Sequence, residues 1–331
     1  MDLKGKQVLV TGAAGFIGSH LVETLLDHGC RVRALVHYNS AGRWGHLDSL
    51  SPSHRDAIEV VPGDVRDAFL VHRAISGCDV VFHLAALIAI PYSYLAPHSY
   101  VATNIEGTLN VLESCRTHGV ERLIHTSTSE TYGTAQYTPI DERHPLQGQS
   151  PYSASKIGAD KLAESYHRSF GLPVATLRPF NTFGPRQSAR AIIPTIVSQA
   201  LDCREIHLGS LTPIRDLTFV TDTAAAFLAM ASCDAAVGQV VNCGNGRGIT
   251  IGQLAARILT RMELTHSHTL VTDAERVRPV KSEVFELICD HTLAERLVGW
   301  RPTVSLDDGL SKVIEYVSDH RNLYRPDSYT V

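Results

Sequence analysis

The chain has 331 residues, of which 44% are hydrophobic and 19% charged, enough for a full core in one large α/β domain or two smaller lobes. A net charge of −4 and the lack of a polybasic run argue against nucleic acid or an anionic membrane as the main partner. Seven scattered cysteines form no CxxC pair and no residue group has metal-ligand spacing, so we expect no metal, no disulfide framework and a reduced, cytoplasmic protein.

Taken in chain order, short apolar runs alternate with helical periodicity through the first half. No signal peptide precedes the first run, and the longest apolar stretch, residues 80–92, is too short to span a bilayer. Strands are predicted at residues 7–12, 31–36, 58–64, 79–86, 121–127 and 173–179. Helices are predicted between them at residues 16–29, 65–76, 98–119 and 150–171. This alternation predicts a parallel sheet covered on both faces, with right-handed crossovers.

After residue 180 the pattern loosens into a mixture of helices and short strands. The helices are predicted at about residues 190–203, 222–233, 250–262, 291–298 and 306–320. We therefore expect a first domain over residues 1–180, to which segments of about 215–245 return. A smaller C-terminal α/β lobe is expected over residues 181–331, without a clean boundary.

The stretch TGAAGFIGS, residues 11–19, joins the first predicted strand to the first predicted helix. Gly12 permits the tight turn, Gly15 lets the backbone approach a pyrophosphate, and Gly18 lets helix and strand pack closely. The helix N-terminus then presents N–H groups and a positive dipole to the phosphates. This context predicts a Rossmann-type doubly wound α/β fold that binds a dinucleotide over residues 1–180.

The second predicted strand ends in LVHYNS, residues 35–40, where NAD-binding proteins place an acid for the ribose. His37, Asn39 and Arg43 stand there instead, and this set tolerates or favours a 2′-phosphate. NADP is therefore favoured here, with NAD left open. Asp64, after the third strand, is a candidate acceptor for the adenine amino group and a candidate N-cap for helix 65–76.

Two further stretches carry groups suited to proton transfer. YSASK places Tyr152 and Lys156 four residues apart on one helix face, where the ammonium is expected to lower the pKa of the phenol. HTSTSETYG, residues 125–133, ends a strand with several hydroxyls and one carboxylate, Glu130. The hydroxyls suit binding, and the lone carboxylate suggests acid–base chemistry.

TGAAGFIG, Asp64, HLAA, NIEGT, TSTSETYG, YSASK and RPFNTFGPR occur in that order. With them the chain resembles, over almost its whole length, the NAD(P)-dependent nucleotide-sugar epimerases and dehydratases of the extended short-chain dehydrogenase/reductase family. TSTSE beside YG is similar to the 4,6-dehydratases. YSASKIGADKLAESY and RPFNTFGPRQSARAIIPTI are most similar to the LegB type, which dehydrates a nucleotide-linked N-acetylglucosamine with GDP as the expected nucleotide.

The resemblance implies a mechanism in which Thr128 and Tyr152 hold the C4 oxygen of the sugar while C4 is oxidised. Glu130 then removes the C5 proton, water is lost across C5 and C6, and C6 is reduced to give a 4-keto-6-deoxy sugar. The dTDP-glucose dehydratases place an Asp before this Glu as the acid for the C6 hydroxyl, and Ser129 stands there in this chain. Either Glu130 performs both proton transfers, or Ser129 relays a proton through water.

The resemblance also implies contacts beyond the reacting groups. Cofactor contacts are expected from Phe16, Ile17, Val65, Leu84, Ala85, Ala86 and Asn104, together with Tyr152 and Lys156. Asn181 is expected to contact the diphosphate or the sugar of the substrate. Arg215 and Arg278 are expected to bind the diphosphate or the nucleotide ribose, since the fork of Arg suits phosphate. Arg186 and Arg190 flank the expected channel entrance or are surface charges, and Arg190 is taken as a substrate contact.

Several readings stay open at this point. A 4-epimerase needs no base at C5, and a UDP-glucuronate decarboxylase needs a cation aimed at the sugar carboxylate, for which the sequence offers no candidate. A non-catalytic dinucleotide sensor has no need for Tyr152, Lys156, Thr128 and Glu130 together. The resemblance further implies a homodimer through helices 98–119 and 150–171, which carry more apolar residues than one sheet face requires.

Overall fold

The structure is a computed structural model that describes residues 1–324, so the last part of the predicted second lobe, residues 325–331, lies outside the described residues. Its strands are β1 (Gln7–Thr11), β2 (Arg31–His37), β3 (Ile58–Gly63), β4 (Val80–His83), β5 (Arg122–Thr126), β6 (Val174–Pro179), β7 (Asn181–Phe183), β8 (Glu205–Leu208), β9 (Ile214–Phe219), β10 (Val240–Cys243), β11 (Gly248–Thr250), β12 (Thr269–Thr272) and β13 (Glu286–Leu287). Its α-helices are α1 (Phe16–Asp27), α2 (Pro52–Asp56), α3 (Ala68–Ile75), α4 (Ile90–Leu95), α5 (Pro97–Tyr100), α6 (Gly107–His118), α7 (Pro151–Phe170), α8 (Ile192–Asp202), α9 (Val220–Ser232), α10 (Ile251–Arg261), α11 (Thr292–Val298) and α12 (Leu306–Asp319). A π-helical stretch, Val101–Glu106, joins α5 to α6.

The main sheet has seven strands in the order β10-β6-β5-β4-β1-β2-β3, and every neighbouring pair is parallel. The predicted Rossmann-type α/β fold is therefore confirmed. Ligands of such sheets bind beyond the carboxyl ends of the strands. Those ends place the glycine loop after β1, the loop after β4 and the Thr128–Glu130 segment after β5 along one edge.

Alternate side chains of the central strands enter two different cores. Val8 and Val10 of β1 pack in the cluster that includes Leu21 of α1 and Phe227 of α9, whereas Leu9 packs in the cluster of α3 and α6. This period of two shows a sheet buried on both faces, which is why its strands read as continuous apolar runs.

A smaller sheet follows in the second half of the described chain. Its central strand is β9, which pairs with β7 and β13 in parallel and with β11 in antiparallel orientation, while β8 and β12 form a separate parallel pair. Helices α8, α10 and α12 cover this region through a third apolar core around Phe183, Phe219 and Leu254. Meanwhile β10 pairs with β6 at the edge of the main sheet, and α9 packs against α1.

Some predicted boundaries were wrong for local reasons. The strand predicted at 79–86 ends at His83, and α4 follows where only a loop was expected. The helix predicted at 65–76 begins at Ala68, because the carboxylate of Asp67 accepts hydrogen bonds from the amides of Phe69 and Leu70. Asp67 therefore caps α3, and the N-cap role predicted for Asp64 was wrong.

Candidate active site

A cavity of about 1070 Å³ lies between the carboxyl edge of the main sheet and the second sheet region. Most of the predicted site residues line it: Gly12, Gly15, Phe16, Ile17, Gly18, His37, Leu84, Ala85, Ala86, Thr128, Glu130, Tyr152, Lys156, Asn181, Arg190, Arg215 and Arg278. Six others are not among its lining residues: Asn39, Arg43, Asp64, Val65, Asn104 and Ser129. A cavity of this size accommodates ligands of cofactor dimensions.

The glycine loop after β1 packs too closely for side chains. Gly12 has a φ of 70°, and a Cβ there would lie 2.8 Å from the amide nitrogen of Ala85. A Cβ on Gly18 would lie 2.2 Å from the carbonyl oxygen of Gly12, so α1 can approach β1 only with glycine at this position. The open N-terminus of α1 at Gly15 faces the cavity, and this cradle fits the pyrophosphate of a dinucleotide.

The structure separates the residues predicted to favour a 2′-phosphate. Asn39 is engaged in its own turn, where its side chain accepts hydrogen bonds from the amides of Ala41 and Arg43 and donates one to the Arg43 carbonyl. Its polar atoms are thereby occupied, and Arg43 is exposed away from the cavity. His37 does line the cavity, with its side chain 79% exposed.

Asp64 has a partner that sequence reasoning missed. Arg66 forms an ion pair of 2.5 Å with its carboxylate, and the Arg66 amide donates to the same group at 2.9 Å. These hydrogen bonds lower the pKa of Asp64. The carboxylate is thus anionic and held at the end of β3, beside His37 at 3.9 Å.

Asn104 and Val65 lie behind the cavity wall. The side chain of Asn104 accepts a hydrogen bond from the Leu87 N–H and donates to the Leu87 carbonyl and to the Ser155 hydroxyl. It thereby fixes the loop after β4 against α7. Val65 packs against Gly107, where a Cβ would lie 2.8 Å from it. Both residues support cavity-lining segments from behind.

Helix α7 presents Tyr152 and Lys156 at its first turns. Ser150 and Ser153 form a capping box, and Pro151 occupies the first helical position, so the helix start is fixed locally. Tyr152 and Lys156 are both buried, and the Lys156 ammonium donates to the carbonyl oxygen of Thr126 at 2.6 Å. The two side chains therefore meet the end of β5.

The acid–base behaviour of the pair differs from the sequence expectation. Burial raises the pKa of Tyr152, and a hydrogen bond with the Thr128 side chain opposes that shift only in part. Burial lowers the pKa of Lys156 to about 8, and the charge of Asp160 opposes this. The expected lowering of the phenol pKa by Lys156 was therefore wrong for this structure, because desolvation of the phenol dominates.

Glu130 and Ser129 occupy a single 3₁₀ turn, Ser129–Tyr132, but face different surroundings. The Thr128 hydroxyl caps this turn by accepting the Glu130 amide at 3.3 Å. Glu130 lines the cavity, and its negative charge acts to raise the pKa of both Tyr152 and Arg215. Ser129 is only 2% exposed and does not line the cavity, so the structure offers no support for a relay through its hydroxyl.

The cavity wall also holds a cationic pair with one shared carboxylate. Arg215 donates to Glu283 at 3.1 Å, and Arg278 lies 3.7 Å from the same oxygen. Burial lowers the pKa of Arg215. Sequence reasoning missed Glu283, although it follows Arg278 in RPVKSEV. Asn181 also lines the cavity, and its buried side-chain oxygen has no hydrogen-bond partner among residues 1–324.

The two arginines of the GPRQSAR segment have different roles. Arg186 pairs through both terminal nitrogens with Glu23 of α1, at 2.7 and 3.0 Å, and so ties this segment to the glycine-loop helix. Arg190 is half-buried in the cavity wall and, within the described chain, makes no hydrogen bond or ion pair. Its positive charge opposes the rise in pKa that burial causes at Tyr100 and Tyr152. Of the two arginines predicted at the cavity entrance, Arg186 is therefore neutralised by Glu23, whereas Arg190 can still bind an anionic ligand.

The described residues offer neither a metal site nor a membrane-spanning helix. Across residues 1–324, no cluster of three or more His, Cys, Asp or Glu side chains is arranged to hold a metal ion. No helix in that range is long and apolar enough to cross a membrane.

Comparison with known proteins places this arrangement among nucleotide-sugar enzymes. The family model for GDP-mannose 4,6 dehydratase matches residues 9–313. The dTDP-glucose 4,6-dehydratase of Streptomyces griseus is 34% identical over 324 residues, covering 96% of each chain. A solved dTDP-glucose 4,6-dehydratase from Streptomyces venezuelae with bound NAD is 31% identical with a TM-score of 0.86, covering 97% of this chain and 99% of its own. A UDP-glucuronic acid 4-epimerase from Bacillus cereus, solved with UDP-glucuronic acid and NAD, is 28% identical with a TM-score of 0.86, covering 95% and 99%.

These relatives divide between two activities on one scaffold. The class defined by the fold and the comparisons is a nucleotide-sugar dehydratase or epimerase of the extended short-chain dehydrogenase/reductase type. Within that class the chain belongs to the family described as GDP-mannose 4,6 dehydratase. The resemblance to the nucleotide-sugar epimerases and dehydratases of the extended short-chain dehydrogenase/reductase family is confirmed.

Proposed function

We propose that this chain is a nucleotide-sugar 4,6-dehydratase, a hydro-lyase that forms a 4-keto-6-deoxy sugar from a nucleotide-linked hexose. The observation that carries the proposal is Glu130, a carboxylate in the cavity wall beside Thr128 and Tyr152. The Tyr152–Lys156 pair alone suffices for oxidation at C4, whereas removal of water across C5 and C6 needs a further base. GDP-N-acetylglucosamine is the proposed substrate, on the resemblance to LegB-type enzymes.

The proposed cofactor is a nicotinamide dinucleotide over residues 1–180, which when bound accepts and returns the hydride. The glycine loop would hold its pyrophosphate, with Leu84, Ala85 and Ala86 beside it and Asp64 in reach of the adenine end. Of the three residues proposed to select NADP, His37 lines the cavity and Asn39 and Arg43 do not. NAD and NADP are therefore to be distinguished by titrating both into the purified protein.

The residues of this chain divide the proton transfers as follows. As a phenolate, Tyr152 would take the proton of the C4 hydroxyl, with Lys156 as a cation beside it and Thr128 holding the sugar oxygen. Because burial raises the pKa of Tyr152, this role requires the positive charges of Lys156 and of a bound oxidised nicotinamide to stabilise the phenolate. Glu130 takes the C5 proton and passes it to the oxygen that leaves C6 as water. When hydride returns to C6, Glu130, reprotonated from solvent, gives C5 a proton, and the proton of the C4 hydroxyl leaves Tyr152 for solvent. We assign both transfers to Glu130 because Ser129 is buried away from the cavity. General acid–base assistance of this kind is worth roughly 10²–10⁴-fold in rate.

The second lobe, over residues 181–331, is proposed to bind the nucleotide and diphosphate. Arg215 and Arg278 supply cations suited to phosphate oxygens, and Asn181 supplies an amide toward the sugar. We further propose a homodimer through helices 98–119 and 150–171. A cytoplasmic location is proposed on the seven free cysteine thiols.

The test is a mass-spectrometric screen in D₂O against GDP-N-acetylglucosamine, UDP-N-acetylglucosamine, GDP-mannose and UDP-glucuronate. Loss of one water with deuterium retained in the product supports the dehydratase, and Glu130→Gln is expected to abolish it. Glu295→Gln, which changes an exposed carboxylate outside the cavity, serves as the matched control. A product of unchanged mass without deuterium identifies a 4-epimerase, and bound cofactor with no turnover identifies a sensor.

A second candidate is a reaction on a nucleotide-linked uronic acid, and Arg190 is the observation that favours it. A decarboxylase or uronate epimerase needs a cation facing the sugar carboxylate, and Arg190 is a half-buried cation that acts on Tyr152 and is not neutralised by a described residue. The Bacillus cereus relative binds UDP-glucuronic acid. Turnover of UDP-glucuronate in the same screen, lost in Arg190→Gln, would replace the dehydratase with this candidate.

A further inference from the structure

Below the proposed catalytic pair, α7 carries a second buried charge that the mechanism does not use. Asp160 lies one helical turn after Lys156, and the two side chains are 6% and 4% exposed. One oxygen of Asp160 accepts the ring N–H of His125 at 3.0 Å. The other accepts the Ser127 hydroxyl at 2.6 Å and an Arg178 nitrogen at 2.7 Å. The carboxylate is thus held from both neighbouring strands, β5 and β6.

Arg178 makes this cluster rigid as well as charged. Its remaining nitrogens donate to Ser127 at 3.2 Å and to the Tyr132 hydroxyl at 2.8 Å, and its guanidinium lies 4.7 Å above the Tyr132 ring. Tyr132 in turn donates to Asn242 at 2.8 Å. Burial alone would raise the pKa of Asp160, but three hydrogen-bond donors, one of them the Arg178 cation, hold that pKa far below its usual range, so the carboxylate stays ionised.

Lys156 has little else to keep its charge in this buried position. Its ammonium donates to the neutral carbonyl of Thr126, and among the described residues no carboxylate lies within ion-pair distance of it. The titratable or charged groups that face it from the packed elements are His83 on β4, His125 on β5, Arg178 on β6, and Tyr152 and Asp160 on α7. Burial lowers the pKa of both histidines, so neither contributes charge near neutral pH.

We propose that Asp160 is a positioning residue of the active site: its carboxylate, fixed by His125, Ser127 and Arg178, keeps the buried Lys156 ammonium protonated and seated on the Thr126 carbonyl beside Tyr152. The Coulomb attraction acts across one helical turn at low dielectric, where it is much stronger than in water. The consequence for turnover rests on the proposed function, whereas the charge state of Lys156 does not.

The test is a ¹³C NMR titration of protein labelled at the lysine ε-carbons. The chain has only six lysines, so the Lys156 signal can be assigned by its disappearance in Lys156→Gln. In the wild type the Lys156 signal is expected to titrate near pH 8. In Asp160→Asn the pKa is expected to fall by about one pH unit or more, the size typical of losing a nearby opposite charge.

The direction of the change separates this role from a merely structural one. Loosened packing would let water reach Lys156 and raise its pKa toward the ordinary 10.5. Loss of the Asp160 charge lowers it. Glu164→Gln, which removes a more exposed carboxylate from the same helix, is the matched control and is expected to leave the Lys156 titration unchanged.

A second variant covers the case in which Asp160→Asn does not fold. Breaking a buried ion pair strongly destabilises a protein, whereas neutralising both partners is often tolerated. The double variant Asp160→Asn/Arg178→Met is therefore expected to fold. It removes the Arg178 cation together with the carboxylate, so the pKa of Lys156 is expected to fall, but by less than in Asp160→Asn. An unchanged or raised pKa in either folded variant overturns the proposal. Because the titration needs no substrate, a lowered pKa without turnover on any sugar nucleotide would refute the proposed function alone.

Discussion

At the scale of single residues, neighbouring positions in TSTSE differ sharply in what they can do. Thr128 and Glu130 reach the cavity, while Ser129 between them turns into the core. The tight 3₁₀ turn at Ser129–Tyr132 produces this division, because successive side chains of such a turn point in different directions. The carboxylate and the binding hydroxyl are thereby placed together without a third polar group.

Tyr152→Phe is expected to lower turnover by roughly 10²–10⁴-fold, because the ring keeps its packing and only the proton-transferring hydroxyl is lost. The measurement is kcat on whichever substrate the screen identifies. Tyr137→Phe is the control, since Tyr137 is 45% exposed and does not line the cavity. Tyr152→Phe retaining full activity would remove Tyr152 from the mechanism.

Arg278→Ala is expected to raise KM while changing kcat far less, because Arg278 lines the cavity and is proposed to bind the diphosphate rather than to act on the reacting carbons. A charge-assisted hydrogen bond contributes about 1.5–3 kcal/mol, so the increase should be about 10- to 150-fold. Arg247→Ala, an exposed arginine outside the cavity, is the control. A fall in kcat at constant KM would contradict this placement.

At the scale of elements, what the sequence predicted well was local in origin. Apolar periodicity located α1 and α7, and the spacing of YSASK put Tyr152 and Lys156 on one face, since both depend on adjacent residues. Glu283 and Arg178 escaped prediction because their partners are distant in sequence and meet only in the folded sheet region. The prediction that Asn39 favours a 2′-phosphate overlooked a local interaction, because the side chain of Asn39 is hydrogen-bonded within its own turn.

Substitutions at two glycines of the loop between β1 and α1 should affect different properties, one the stability of the fold and the other the binding of a dinucleotide. Gly18→Ala is expected to destabilise the fold, because the new Cβ would lie 2.2 Å from the Gly12 carbonyl. Gly15→Ala meets the same oxygen at 3.2 Å, so stability should fall little while dinucleotide affinity falls strongly.

Thermal unfolding and titration with NAD and NADP measure these two effects on each variant. Equal loss of stability in both variants would show that the loop serves packing alone. Unchanged dinucleotide affinity in Gly15→Ala would show that the backbone at Gly15 does not approach the pyrophosphate.

At the scale of the whole molecule, the cavity depends on contacts that cross between distant parts of the chain. Arg186 adopts a φ of 71°, unusual for a residue with a side chain, and in this conformation it pairs with Glu23 on α1. Arg215 and Glu283, from two other segments, form a further ion pair in the cavity wall. The proposed cofactor and substrate regions therefore share one wall, which suits transfer between two bound molecules.

The proposed homodimer is the prediction that concerns the largest surface. Val101 and Leu109, on the helical segment from α5 through α6, are 45% and 38% exposed although both are apolar. Single exposed apolar side chains are common on monomers, so the dimer prediction rests on the resemblance, and these two positions on the proposed interface helices are where a charge would test it. Val101→Glu/Leu109→Glu is expected to convert a species of twice the 36.1 kDa chain mass into a monomer, measured by light scattering.

The same measurement on Phe285→Glu controls for the effect of placing a charge on an exposed apolar position, because Phe285 is 50% exposed beside β13, away from these helices. That variant should remain dimeric. A wild-type protein that scatters as a monomer at all concentrations would refute the dimer. A double variant that stays dimeric would instead place the interface on another face, since two buried carboxylates facing their symmetry copies could not be accommodated.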